Sequence, residues 1–516
     1  MPVPRFELSR YLRHGRSVLA ATLVGCVLLN VIGTGGIALS TAIAQESNLP
    51  RIGDAAGGDL SPATERRIGE IIMRGLRRDN AMIDDAELTG YLSNFALRLT
   101  DTTPARGFQF EFFLLRDPTL NAFALPGGYI GVHSGLLQTA STESELASVL
   151  AHEIGHVTQR HMARMLARSE RTSLLSLAAV FMAVLAASSN PDAAAGLIAL
   201  GSSVYDQQML SFSRDAEQEA DRIGLEILRE ADFNTNDMIA FFARMQQATR
   251  LYENNAPSYL RTHPLTSERM ADIQNRVVDL RYRQRVSSIG FHLVKAKLQV
   301  QSDTTKDGLQ ATRKTFETRL AQRTFISETA TWYGLAVAAS HQADLKTARE
   351  SLANARLAAV REGYEKSHPF YERLAAQIEL DAGQVSRASA IVDNALGQYP
   401  DALALRLLKV DIALQAGRFE VAESQIEDQL RIRRSEPNLW HRLGKAYAGQ
   451  GKTGLSHWAV GEQYSLLGAW SAAREQFQLA LRDKSVDFYR LSQIDTRIKE
   501  TEQKIIEENE ARQRLE

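Results

Sequence analysis

Apolar positions in this chain change rhythm three times. Near the N-terminus, "SVLAATLVGCVLLNVIGTGGIAL" is almost continuously apolar. Two short stretches, "FQFEFFLLRD" and "NAFALPGGYIGVHSGLL", alternate apolar and polar residues and are broken at Pro126-Gly127-Gly128, which predicts strands joined by a turn. Almost everywhere else the apolar residues recur every three to four positions, the spacing of helices with one buried face. From about residue 285 to 485 that helical pattern repeats. Gly383, Gly417 and Gly451 lie in "LDAGQ", "LQAGR" and "AGQGK", 34 residues apart each time. Trp440, Leu443, Gly444 and Tyr447 in "LWHRLGKAY" fit the W-x2-L-G-x2-Y pattern of tetratricopeptide repeats, helix pairs that stack because no single pair can bury its own face. "LAVAASHQADLKTARESLANA" reads as a copy set 40 residues earlier, so an insertion is expected, and Gly468 follows Gly451 by 17 residues, a register change of one helix.

The pattern predicts an α+β domain followed by an all-α tetratricopeptide-repeat solenoid. Its expected segments are a leader (1–44), a Gly/Pro/Ser-rich lead-in (45–62), a chemistry-bearing domain (63–276), the repeats (285–485) and a charged, solvated C-terminal helix (486–516). At 516 residues the chain exceeds what one core supports. Arg5, Arg10, Arg13 and Arg16 ahead of the apolar run, with Ala42-Ile43-Ala44 after it, make the leader an export signal cut after Ala44. Two alternatives are an uncleaved membrane anchor and lipidation at Cys26 in "LVGC". The leader carries a net +3, so its removal takes the formal charge from −1 to −4. Nothing in that balance offers a basic field, which excludes nucleic acid as a partner. Cys26 is the only cysteine, so neither a disulfide framework nor a cysteine nucleophile is available to the mature chain. Two apolar stretches, "SLLSLAAVFMAVLAAS" and "SNPDAAAGLIALGSSV" within 173–204, read as a buried helical hairpin or as a face resting on a membrane or protein partner.

The chemistry concentrates in "SVLAHEIGHVTQRH", which holds three of the eleven histidines. On a helix His152 and His156 project from one face and can share a metal ion, while Glu153 stands about 100° round, beside the ion, where it can act as a base. His161 falls about 180° from His152 and is expected at a surface or helix end. The extended pattern with a third histidine is excluded by Gln159 and Met162. The third ligand is sought instead in "SRDAEQEADRIGLEIL", where Glu217 and Asp221 share a face next to small Ala216, Ala220 and Gly224. An acid pair at a helix contact needs a cation or donors. Glu217 on a metal and Asp221 accepting from a ligand imidazole satisfy both, with Glu219 pointing to solvent.

HExxH with a downstream E-x-x-x-D inside "EQEADRIG" resembles the HtpX-like and CAAX-prenyl-protease-like zinc metallopeptidases. With an export signal and tetratricopeptide repeats it resembles their periplasmic branch acting in outer-membrane β-barrel protein quality control. That resemblance implies a zincin-type metalloprotease fold for the α+β domain and Zn2+ held by His152, His156 and Glu217, with Glu153 as general base. It places His263 of "RTHPLTSERMADI" near the metal, either stabilising an oxyanion or filling the fourth position. "NAFALPGGYIGV" would supply an edge strand for an extended peptide, with Asn121, Ala122, Phe123, Ala124, Gly127 and Gly128 as contacts. Unfolded or stalled proteins are the implied substrates, and the repeats would hold clients or the β-barrel assembly machinery. The rival reading is a repeat-based chaperone or scaffold with a structural or latent zinc site.

Overall fold

In a computed structural model, residues 60–78, 81–167, 213–251, 258–278 and 285–513 are described. The leader with Ala44 and Cys26, most of the lead-in and the apolar pair at 173–204 lie outside them. Among the described residues no helix is long and apolar enough to cross a membrane.

Helix α1 (Pro62–Arg78) buries Ile68, Ile72 and Met73 at helical spacing. Helix α2 (Ala86–Thr100) starts where Asp85 accepts hydrogen bonds from the Glu87 and Leu88 amides, satisfying two donors that a helix start leaves free. The predicted strands form a three-stranded sheet of β1 (Glu111–Leu115), β2 (Ala122–Leu125) and β3 (Tyr129–His133), ordered β1-β3-β2. Here β3 runs parallel to β1 and antiparallel to β2, with Phe123 opposite Gly131 and Leu115 opposite His133. The turn between β2 and β3 needs its glycines. Both have positive φ, and a Cβ on Gly128 would sit 1.9 Å from the Gln109 carbonyl oxygen.

After α3 (Ser134–Thr139) comes α4 (Glu143–Thr158), capped by the Thr142 hydroxyl and buried at every residue except Val157. A helix buried all round shows little amphipathic contrast, so its apolar periodicity in sequence is weak. α5 (His161–Ala167), α6 (Arg214–Glu230), α7 (Asn236–Leu251), α8 (Ser258–Thr262) and α9 (Ser267–Val278) follow. The chain packs α4 between β2 and α6. Glycine lets α4 and α6 cross closely: a Cβ on Gly155 would lie 2.9 Å from the Ala220 carbonyl oxygen, and one on Gly224 3.2 Å from the His152 nitrogen.

Helices α10 (Ile289–Gln301) and α11 (Lys306–Gln322) lead into paired helices: α12 (Glu328–His341) with α13 (Leu345–Arg361), α14 (Pro369–Asp381) with α15 (Val385–Gln398), α16 (Leu403–Gln415) with α17 (Phe419–Leu430), and α18 (Pro437–Gly449) with α19 (Thr453–Leu466). Gly383, Gly417 and Gly451 turn the last three pairs with φ near +70°. Ala343 takes the same left-handed conformation in the first pair, at φ 58°, so the repeat extends one pair beyond its glycine signature. The 40-residue spacing has a plain origin. α13 is 17 residues long against 14 for α15, and the following loop is also longer. Gly468 turns α19 into α20 (Trp470–Leu481), which is the one-helix register change. The last helix, α21 (Phe488–Gln513), is solvated only in part: Ile494, Ile498 and Thr501 are buried, and Arg497 pairs with Glu462 of α19.

One hydrophobic core runs from Ile83 and Leu88 of the first domain through Phe291, Tyr333 and Tyr371 of the helical part. Beside it, buried Lys297 of α10 bonds Asp85 and Glu87 at the start of α2. The two parts of the chain are therefore welded through α2 and α10.

Candidate active site

His152 and His156, one turn apart on α4, place their Nε2 atoms 3.0 Å apart. From α6, Glu217 reaches the same point: Oε1 is 3.4 Å from His156 Nε2 and Oε2 is 3.4 Å from His152 Nε2. His263 arrives from the end of α8, its Nδ1 2.9 Å from Glu217 Oε1. Its ring stacks on Tyr259 one turn earlier, at 4.7 Å. One ligand atom from each of His152, His156, Glu217 and His263 lies within 4.8 Å of all the others, and all four residues are buried.

Glu153 points into this cluster from α4. Both its oxygens are buried, and among the described residues the only hydrogen-bond donor that acts on them is the Ala124 backbone amide, out of ideal alignment. His263 Nε2 stands 3.5 Å from Oε1. Burial raises the Glu153 pKa, opposed by the nearby charges of His263 and His152. Its carboxyl is thereby shifted toward the range in which a base can both take and return a proton.

Behind the cluster, Asp221 Oδ1 accepts from His152 Nδ1 at 2.9 Å. Arg269 of α9 grips both Asp221 oxygens, Nε at 2.7 Å and Nη2 at 2.8 Å, and its Nη1 donates to the Pro264 carbonyl. Nη1 also stands 2.7 Å from Glu217 Oε2, out of line for a hydrogen bond but close enough to share charge. Burial would raise the Asp221 pKa, yet the bonds from Arg269 and His152 hold it low. Glu217 is likewise depressed against burial, by the His263 charge and by bonds from His152, His156 and His263. Burial would lower His152, but Asp221 and Glu217 lift it to about 9. Asp221 and Glu217, both buried, thus share a single guanidinium.

Three imidazoles and a carboxylate converge here, a donor set that suits a divalent cation of the borderline-soft kind. The residues present therefore fit a catalytic metal.

Neither Arg269 nor Tyr259 was expected from the sequence. The unpaired acids Glu217 and Asp221 called for a cation, and "HPLTSER" offered one six residues after His263. Of the two places expected for His161, the helix end holds, since it opens α5, and the surface does not. His161 is 3% exposed, and its Nδ1 sits 2.8 Å from His156 Nδ1. The 180° offset applies only to an unbroken helix, and α4 stops at Thr158. Glu219, expected in solvent, is partly exposed and pairs with His161 and Arg164.

Of the expected peptide-contacting residues, Ala122, Phe123 and Ala124 lie in edge strand β2, with Asn121 just before it, and all four are buried. The β2 strand packs against α4, the helix that carries Glu153. Gly127 and Gly128 have a local reason for being glycine, since a Cβ on Gly127 would meet the Arg66 Cα at 2.6 Å.

Residues 86–277 match peptidase family M48, and residues 379–446 match the tetratricopeptide repeat. The chain is 30% identical over 493 residues to the β-barrel assembly-enhancing protease of Escherichia coli, covering 95% of this chain and 97% of that protein. It is 38% identical over 261 residues to the putative β-barrel assembly-enhancing protease of Vibrio cholerae, covering 50% of this chain and 53% of that protein. Over 199 residues, 39% of this chain, it is 31% identical to the mitochondrial metalloendopeptidase OMA1 of Schizosaccharomyces pombe. The chain therefore belongs to peptidase family M48, as a metallopeptidase of the β-barrel assembly-enhancing type that carries tetratricopeptide repeats.

Proposed function

We propose that this metallopeptidase is a zinc endopeptidase of the periplasm that cleaves misfolded or stalled outer-membrane proteins. The tetratricopeptide repeats would bring clients, or the β-barrel assembly machinery, to the site. The observation that carries the reading is the Glu153 carboxyl, fully buried and aimed at four convergent ligand residues, with His263 Nε2 3.5 Å from its Oε1. A structural metal site has no use for such a group.

His152, His156 and Glu217 would hold the ion, with Asp221 and Arg269 fixing His152 from behind. Bound Zn2+ supplies Lewis-acid polarisation of the scissile carbonyl and lowers the pKa of the attacking water, to about 7 in favourable sites. Glu153 takes the water's proton and passes it to the departing amine. The β2 edge, from Asn121 through Ala124, aligns an extended peptide by main-chain hydrogen bonds, which reads sequence loosely and suits unfolded clients. Export by the leader and cleavage after Ala44 are part of the same reading.

His263 favours a resting state that is latent. Catalytic zinc keeps a position open, whereas His263 lies within ligand distance of the other three residues. Pro264 and the Arg269 bond to its carbonyl hold this histidine in place. Activation would then consist of drawing His263 away from the cluster.

The test is Glu153→Gln, with metal content and cleavage of an unfolded β-barrel client measured together. Metal should stay at one per chain while cleavage drops about 10²–10⁴-fold. Unchanged cleavage with full metal refutes the general-base role and leaves the chaperone-scaffold reading standing.

A further inference from the structure

We propose that His161 is the positioning residue for His156, and that Glu219 fixes the tautomer of His161. The second metal-facing imidazole would thus be held by an imidazole–carboxylate chain that ends near the protein surface. The inference rests on reading His156 as a metal ligand.

The local fold brings His161 back against α4. The Gln159 amide donates to the Gly155 carbonyl and ends the helix. Arg160 then takes a left-handed conformation, φ 51°, which reverses the chain. Such a conformation is strained in a non-glycine residue and persists only where its surroundings impose it. Here the Arg160 guanidinium is held by Glu65, 2.7 Å away, and by the Leu60 carbonyl. α5 therefore begins with the His161 ring lying against His156, centroids 4.9 Å apart.

Proton placement makes the contact directional. His156 turns Nε2 toward His152 and Glu217, and Nδ1 toward His161 at 2.8 Å. A neutral imidazole that binds metal through Nε2 carries its proton on Nδ1 and must donate there. The His161 Nδ1 must then accept, which puts the His161 proton on Nε2. That nitrogen lies 3.0 Å from Glu219 Oε2, an acceptor, which Arg164 in turn holds at 2.9 Å. One assignment of protons satisfies every link.

His152 is held differently, directly by Asp221 with buried Arg269 behind it. The His156 chain instead ends at Glu219, whose side chain is 42% exposed. Its outer end can be altered without disturbing the core.

The experiment measures Zn2+ affinity of the full chain by competition with a chromophoric chelator, for wild type, His161→Phe, His161→Asn, Glu219→Gln and His156→Ala. Loss of a partner that orients a metal-binding histidine typically weakens binding about 10–100-fold, which is the expectation for His161→Phe. His161→Asn places an amide oxygen where Nδ1 stood and should recover most of that loss. Glu219→Gln, at the surface, should weaken binding by a few-fold with the thermal midpoint unchanged. Wild-type affinity in His161→Phe overturns the inference. Equal losses in Phe and Asn, with Glu219→Gln unaffected, also overturn it, because the role is then only packing. If His156→Ala binds as tightly as wild type, the metal-ligand reading itself falls, and that result is distinct from the other two.

Discussion

Replacing Arg269 with Met keeps the length of the stem and removes every donor from a side chain that is 1% exposed. Three contacts disappear together: the two-pronged grip on Asp221, the bond to the Pro264 carbonyl and the charge contact with Glu217. Breaking a buried ion pair by deleting one partner costs about 3–5 kcal/mol, because the other charge is left stranded. For a domain of this size each kcal/mol moves the midpoint by about 2–4 °C, so thermal unfolding should begin roughly 6–20 °C lower. The pH response has a definite sign. Asp221 is depressed below its ordinary 3.8, so its contribution is complete above 3.8 and disappears as pH falls through its lower folded-state value. Without Arg269 that depression shrinks, and acid unfolding should start at higher pH. Adding Asp221→Asn to Arg269→Met removes the stranded charge but keeps an acceptor for His152, so the double variant should melt above the single one. Circular dichroism melts and chelator competition for Zn2+ read both effects. An Arg269→Met protein with wild-type midpoint and metal affinity, or a double variant no more stable than the single, would refute the charge argument.

His263→Ala should raise basal cleavage of an unfolded client roughly 3- to 10-fold at unchanged metal content, as expected when a latent population is released; a fall instead assigns His263 to oxyanion stabilisation. The weld at α2 and α10 predicts an acid-sensitive step. Burial would raise Asp85, but Lys297 and Gln301 bring it down to about 2 from 3.8, a difference of ~2 kcal/mol that is present above 3.8 and lost as pH falls through 2. Lys297→Met should remove most of it, leaving the parts due to Arg373 and Gln301, and identical acid-unfolding midpoints followed by tryptophan fluorescence would count against the weld. Gly155→Ala pushes a Cβ to 2.9 Å from the Ala220 carbonyl oxygen and 3.0 Å from its Cα, atoms that cannot move aside cheaply. It should cost about 1–3 kcal/mol in thermal stability and weaken Zn2+ binding, since α4 and α6 carry the ligands between them. Wild-type values in both measurements would show that the close helix crossing does not set the site.

What could be read from the sequence divides along physical lines. His152, Glu153 and His156 were legible because they lie within one helical turn, where residue spacing alone fixes direction. Glu217 and Asp221 were legible because four-residue spacing puts both acids on one face, and two buried acids demand partners. The repeats were legible through glycines in register, yet the first pair was obscured because Ala343 adopts the left-handed turn without being glycine. Arg269 and Tyr259 escaped because their meaning depends on which elements meet in space. Spacing does not carry that information, although the surplus of acid charge announced that some cation must come. His161 shows most clearly where pattern reasoning fails. Residue spacing fixes its direction only on an unbroken helix, and nothing in "HVTQRH" marks Arg160 as the residue that turns left-handed. That reversal is imposed from outside the segment, by Glu65 and the Leu60 carbonyl on the opposite side of the chain. A histidine that spacing turns away from His152 therefore lies directly behind His156. The same reversal makes Glu219, which the four-residue rule sent to solvent, the outer anchor of the site.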